Sequence, residues 1–202
     1  MSKKVFLSLA IVISLFFVFS GCVSLPTTEA GEETCEATWN GIVWNGDFSC
    51  QTLEVETTFS ATSNWFIHSE NGASVTAIIE NGRAEVTVVS MGENPWYSSL
   101  AQWIAPNSNV SYTLTFDASA DTETNIGVAV AYYGTDHNWW YNPLSQTITL
   151  TPDSTSFTLN FDSHPTEDPL ITGTCFVKFE FQFGNSATNS TIYIDNVSIV
   201  EN

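Results

Sequence analysis

Basic side chains are almost absent from this 202-residue chain: four Lys and Arg stand against 22 Asp and Glu, a formal net charge of −18. Two of the four, Lys3 and Lys4, lie in the first turn-length of sequence, so beyond residue 21 the 22 acids face only Arg83 and Lys178, a net of −20. Affinity for nucleic acid rests on Lys and Arg neutralising phosphates. A chain so poor in cations is excluded from that class, and from attraction to anionic headgroups. A neutral ligand suits the charge balance. Helical periodicity is also missing, because no stretch repeats its apolar residues at three- and four-residue spacing. Cysteine is sparse, with four residues in all, and no CxxC or Cys/His cluster suggests zinc. Long apolar runs are confined to one place, Val5–Phe19, which is shorter than the roughly 20 residues of a comfortable membrane span.

That run is the middle of a secretory signal: Lys3 and Lys4 precede it, and Phe19-Ser20-Gly21-Cys22 follows with small residues before a cysteine. The ending resembles a bacterial lipobox. The resemblance implies cleavage after residue 21 and diacylation of Cys22, hence an exported protein lipid-anchored to a bacterial membrane and facing the periplasm or the exterior. Two acyl chains suffice for stable anchoring without a spanning segment. Residues 22–38 are short of apolar residues and acidic, as in Thr28-Glu29-Ala30-Gly31-Glu32-Glu33, and are expected to be a flexible tether.

Aromatic residues are abundant, 14 Phe, 7 Trp and 6 Tyr, which argues against acidic disorder. From Trp39 onward short alternating segments are separated by turn residues. Ser74–Glu80 and Arg83–Val89 flank Asn81-Gly82, a strong hairpin signal. Further strands are predicted near 97–104, 111–120, 125–133, 146–150, 156–161, 176–183 and 191–200. Many short strands at regular spacing predict an all-β sandwich, here a single jelly-roll domain over 39–202.

Alternation assigns faces, since successive strand side chains point to opposite sides. Val177, Phe179, Phe181 and Phe183 take the core side, which turns Lys178, Glu180 and Gln182 the other way. Tyr112, Leu114, Phe116 and Ala118 face inward. Ile126, Val128, Val130 and Tyr132 do likewise, leaving Gly127, Ala129 and Ala131 on a face with room for something to lie across it. In an exported protein disulfides persist. Cys35 and Cys50 are the first expected pair and Cys50 with Cys175 the alternative; Cys175, in phase with Val177, is otherwise a buried thiol.

Six pieces in order resemble the carbohydrate-binding modules of the family 4/9/16/22 type. They are Asn45-Gly46-Asp47-Phe48, Glu80-Asn81-Gly82, Asn94-Pro95-Trp96 leading to Leu100-Ala101-Gln102, Tyr112 to Ala118, Phe179 to Gly184, and Ile192 to Ile199. The resemblance spans about 155 residues and implies a galactose-binding-like jelly roll that grips a neutral glycan without catalysis. Sugar rings offer apolar faces to aromatic planes, and their hydroxyls need placed polar groups. Gln182, Glu180 and Gln102 are implied as polar contacts. Trp139, Trp140, Tyr141 and Trp65 are candidate stacking rings, while Trp96 is expected in the core. A structural calcium is implied as well, with Asn45, Asp47 and Asp195 as ligands.

Motifs of hydrolases are missing: there is no GxSxG, no HExxH and no phosphate-cradling glycine loop, nor the ExDxxE strand of jelly-roll glucanases. His68, His137 and His164 stand in turn-like contexts and are expected at the surface. The chain is therefore expected not to be an enzyme. Its partners are expected to be a glycan, and a glycan-degrading or uptake system beside it. The competing expectation is a surface adhesion or scaffold lipoprotein that uses the same fold to bind a protein.

Overall fold

The computed structural model describes residues 37–55, 64–134, 139–164 and 176–202. The chain divides into two units, Met1–Glu33 and Thr34–Asn202, and only the second contains described residues. The signal, Cys22, most of the tether, Cys35, His137 and Cys175 lie outside them. Cys50 is disulfide-bonded, and both cysteines weighed as its partner fall in the undescribed stretches.

Among the described residues thirteen strands follow in chain order: β1 Trp39–Asn40, β2 Val43–Trp44, β3 Leu53–Val55, β4 Trp65–Ser69, β5 Ser74–Glu80, β6 Arg83–Ser90, β7 Ser98–Ile104, β8 Ser111–Ala120, β9 Thr124–Tyr133, β10 Trp139–Leu150, β11 Thr155–Asp162, β12 Phe176–Gln182 and β13 Thr191–Glu201. One short 3-10 turn, Pro95–Tyr97, precedes β7. The strands form a six-stranded sheet in the order β10-β9-β12-β7-β4-β3 and a five-stranded sheet in the order β11-β8-β13-β6-β5, with β1 and β2 as a separate hairpin. Neighbours in each sheet are mostly distant in sequence. This is the two-sheet jelly roll expected from the strand pattern.

The core lies between the sheets and is built from the side chains that alternation assigned to it. Phe181 of β12 meets Phe116 of β8 edge to face, with centroids 5.0 Å apart. Leu114, Val128, Val130, Phe179, Ile192 and Ile194 are fully buried around them. Each such side chain contributes roughly 1.5–3 kcal/mol by leaving water. Asn81 and Gly82 close the β5–β6 hairpin with φ of 54° and 72°, the doubly left-handed turn whose twist matches the strands it joins.

The two ends of the domain hold each other. Val197 N donates to the Gly46 carbonyl at 2.7 Å, and a Cβ on Gly46 would stand 1.9 Å from the Val197 carbonyl oxygen. The approach occurs where β13 slips register between Asp195 and Ser198. Strand β4 was not expected: its Trp65 is fully buried, 5.1 Å from Phe48 by ring centroids, and its indole Nε1 donates to the Asn45 carbonyl at 3.0 Å. Strand β10 begins at Trp139, seven residues before the expected start, and slips register twice before Leu144.

Candidate glycan-binding face

Six strands of one sheet present a second face, opposite the core, and it carries the chemistry. Strand β12 puts Lys178, Glu180 and Gln182 there. Directly across on β9 stand Ala131, Ala129 and Gly127. On β7 the partners are Trp103, Ala101 and Ser99, and on β4 Phe66 and His68 follow opposite Ala101 and Ser99. Small side chains flank the β12 row on both neighbouring strands, Trp103 excepted.

The polar row lies along β12 rather than standing out from it. Lys178 Nζ is 3.0 Å from Glu180 Oε2, and Gln182 Nε2 donates to Glu180 Oε1 at 2.8 Å. The three residues are only 7 %, 2 % and 7 % exposed. Full openness to solvent was the expectation; the structure corrects it, since all three side chains are buried and Glu180 pairs with both of its neighbours along the strand. The opposite charges are matched, yet Glu180 Oε2 is buried and makes no hydrogen bond. Ser99, opposite Gln182, is fully buried and its Oγ has no hydrogen-bond partner.

Aromatic rings gather at one end of the face around Trp103. Phe66 stacks on it at 6.0 Å and 26°. Tyr133 and Phe176 meet it edge to face at 5.9 and 6.2 Å. Lys178 Nζ lies 5.3 Å from the centre of the Tyr133 ring, a cation–π distance. Register sets Trp139 opposite Tyr133, so Trp139 extends this group at the rim. Its ring is 59 % exposed, and its Nε1 donates to Asn142 Oδ1 at 2.6 Å. Trp103, Phe66 and Phe176 were missed in the sequence. Their signal was present, since Trp103 and Ala101 alternate with Leu100 and Ile104.

Several expected residues belong elsewhere. Trp65 is in the core, as described above, because β4 turns it inward with Ile67 opposite Leu100. Gln102 is on the core side as well, paired with Phe179. Its amide is used twice on one backbone, accepting from Trp44 N and donating to the Trp44 carbonyl, each at 2.8 Å. Trp96 is 48 % exposed and meets Tyr97 edge to face; the 3-10 turn holds it outside the core that was expected for it. Tyr141 pairs with Tyr132 after the first slip of β10, on the opposite side from Trp139, and meets the buried His164 at 5.3 Å. His164 is thus not at the surface, and its backbone N donates to the Tyr132 hydroxyl at 3.2 Å. Trp140 lies in β10, and its side chain is outside the description.

The residues implied for calcium do not fit as one site. Asn45 Oδ1 accepts from Cys50 N at 3.0 Å and Ser49 Oγ at 3.4 Å, and its Nδ2 donates to the Cys50 carbonyl at 2.8 Å. That amide is a turn staple with no oxygen to spare. Asp47 Oδ1 accepts from Ser49 N at 3.3 Å, and Asp195 Oδ1 from Asn196 N at 2.7 Å. Among the described residues no three His, Cys, Asp or Glu side chains gather to hold a metal. Asp195 stands directly opposite Asp117. Burial, then the nearby Asp117 and Asp47 charges, hold Asp195 above the ordinary aspartate range. Hydrogen bonds from Ser156 and Asn196 hold Asp117 below it.

This two-sheet jelly roll is similar to those of solved carbohydrate-binding modules. A structure described as "CBM4 structure and function" is similar over 79 % of this chain and 99 % of its own, at 26 % identity and a TM-score of 0.66. A putative sugar-binding protein from Bacteroides thetaiotaomicron matches 80 % of this chain and 100 % of its own, at 14 % identity and a TM-score of 0.56. The second N-terminal cellulose-binding domain of a Cellulomonas fimi β-1,4-glucanase matches 73 % of this chain and 95 % of its own, at 24 % identity and a TM-score of 0.50. At these identities the last two speak for the fold alone. No family model matches the chain, and neither does any curated protein. The first of these is described as a CBM4, in keeping with the expectation of a binding role without catalysis.

Proposed function

We propose that this protein binds a neutral polysaccharide or oligosaccharide, without catalysis, on the outer face of the six-stranded sheet. One observation carries the proposal: Trp103, Tyr133, Phe176 and Trp139 share that face with Gln182 and Ser99, so ring planes at one end and hydrogen-bonding groups four or more residues along the strands, roughly 13 Å or more, lie on one surface. Both needs of sugar recognition are met together. Neutrality of the ligand is supported by the two basic residues beyond residue 21. Lys178 is paired with Glu180, and Arg83 is 2.7 Å from Glu85 and stacked on Tyr193 in the other sheet. Neither offers an uncommitted cation to a uronate or sulfate. A lipid anchor at Cys22 would display this face from a bacterial membrane, where glycan capture serves a degrading or uptake system.

The test is a broad glycan array with the soluble domain, followed by affinity electrophoresis in β-glucan, xylan, mannan and cellulose derivatives. Retardation by at least one neutral polymer, with none by polyuronates, is expected. Silence across the array would leave the protein-binding adhesion role in its place. Acyl labelling that is lost in Cys22→Ser is the expected result for the anchor.

A further inference from the structure

The polar row has a direction, and that direction gives Glu180 a task. An ionised carboxylate accepts hydrogen bonds and donates none, whereas an ammonium only donates. Glu180 Oε1 accepts from Gln182 Nε2, and Lys178 Nζ lies 3.0 Å from Oε2 as an ion pair, although that oxygen makes no hydrogen bond. Facing such a group, the Gln182 amide has one orientation open to it: nitrogen toward Glu180 and oxygen away. The oxygen then lies over β9, in the place a Cβ on Gly127 would fill, 2.7 Å from that position. No hydrogen bond to Gln182 Oε1 is made by any described residue, and the buried Ser99 hydroxyl directly opposite is unpartnered too.

We infer that Glu180, held by Lys178, is a positioning residue that locks the Gln182 amide with its oxygen presented to the ligand. The face thereby offers an acceptor at this point and selects ligands that donate, as a sugar hydroxyl does. Glu180 acts on a ligand through Gln182 in this arrangement, since its Oε1 is taken by the Gln182 amide and its Oε2 is buried beside Lys178. The inference rests on the proposal that this face binds glycan. Orientation matters because a free amide presents oxygen or nitrogen by a half-turn, and a ligand hydroxyl would then meet a mixture. Fixing it before binding removes that ordering cost from the association.

Two measurements test this. In the double variant Lys178→Met/Glu180→Leu both charges leave together, a change that is often neutral or stabilising for a fold. Affinity for soluble β-glucan, or for xylan or mannan where that is the polymer retained, is expected to fall about tenfold with Tm unchanged or raised, by analogy with the loss of one charge-assisted hydrogen bond. Affinity within twofold of the parent, in a protein where Gln182→Leu abolishes binding, would overturn the inference. The second measurement needs no ligand and no variant. In side-chain amide NMR of the full domain, one Gln182 Nε2 proton should be shifted and slow to exchange, unlike those of the exposed Gln51 and Gln146. Exchange as fast as theirs overturns the inference even if the double variant fails to fold. If the parent binds no glycan at all, the proposed function falls, while the amide signal still decides whether Glu180 orients Gln182.

Discussion

The carbonyl oxygen of the Gln182 side chain and the missing side chain of Gly127 share one space: a Cβ on Gly127 would meet Oε1 at 2.7 Å and the Gln182 Cβ at 3.0 Å. The glycine is therefore a condition for the way Gln182 lies across strand β9. Substituting Gly127→Ala is expected to displace the amide while improving the strand's own backbone preference. Binding should weaken about three- to tenfold, on the scale of one hydrogen bond, with Tm within a degree or two of the parent. Calorimetric titration alongside thermal melting separates the two. A drop in Tm without loss of affinity would mean the contact is only packing.

Trp139 is the ring of this group that stands most in solvent. Its replacement by Ala should cost binding about 1–3 kcal/mol, the range of base–aromatic stacking sites, at little cost in stability. Ile78, 55 % exposed on the outer face of the other sheet, is the control. Ile78→Ser should leave binding unchanged. Equal affinity of both variants would place the stacking surface elsewhere on the protein.

Gly46 has the opposite character, since it belongs to the frame and not to the face. A Cβ there would meet the Val197 backbone oxygen at 1.9 Å, and neither backbone has a flexible end to move. Gly46→Ala should destabilise the domain by about 3 kcal/mol, the upper range for overpacking. Denaturant unfolding measures it, and a loss below half that would mean the two chain ends are less tightly joined than described.

The Asp195–Asp117 pair predicts a dependence on pH. Asp195 is held above the ordinary range in the folded protein, so its ionised form is disfavoured by folding. That penalty is present at neutral pH and disappears as pH falls through the raised value. Asp195→Asn keeps an oxygen for Asn196 N and removes the charge. The variant should be more stable at pH 7 by about 0.5 kcal/mol, the scale of a cross-strand pair, less at high salt. Its advantage should vanish on acidification. Asp117 has the opposite sign: its value is lowered, so its contribution is present near neutrality and lost in acid. Melting curves of parent and Asp195→Asn between pH 3 and 7 decide the matter; a constant difference would exclude titration of Asp195 as its origin.

Much of the frame was legible beforehand. The alternation in Phe176–Gln182, Ser111–Ala120 and Thr124–Tyr133 assigned core and outer faces correctly because sheet side chains have a period of two. Asn81-Gly82 specified its hairpin through the left-handed conformations those residues adopt easily. The face of Gln182 was legible for the same reason. Gln102 was not, because a family-like glutamine drew attention away from its phase, which matches Leu100 and Ile104. Trp65 was misassigned because the β4 segment is short and its alternation too brief to separate a core ring from a stacking one.

By itself, then, the order of residues determined that this is an acidic, aromatic-rich β-sandwich and which side chains of each long strand look outward. Local periodicity carries that information. Tertiary structure alone decided which strands became neighbours, and so which outward side chains share a surface. Trp103 meets Phe66, Tyr133 and Phe176 from four strands, and Gly46 meets Val197 across some 150 residues. Sheet order joins segments through hydrogen bonds that any backbone can make. Their partners are chosen by packing of the whole core, which no single stretch of sequence contains.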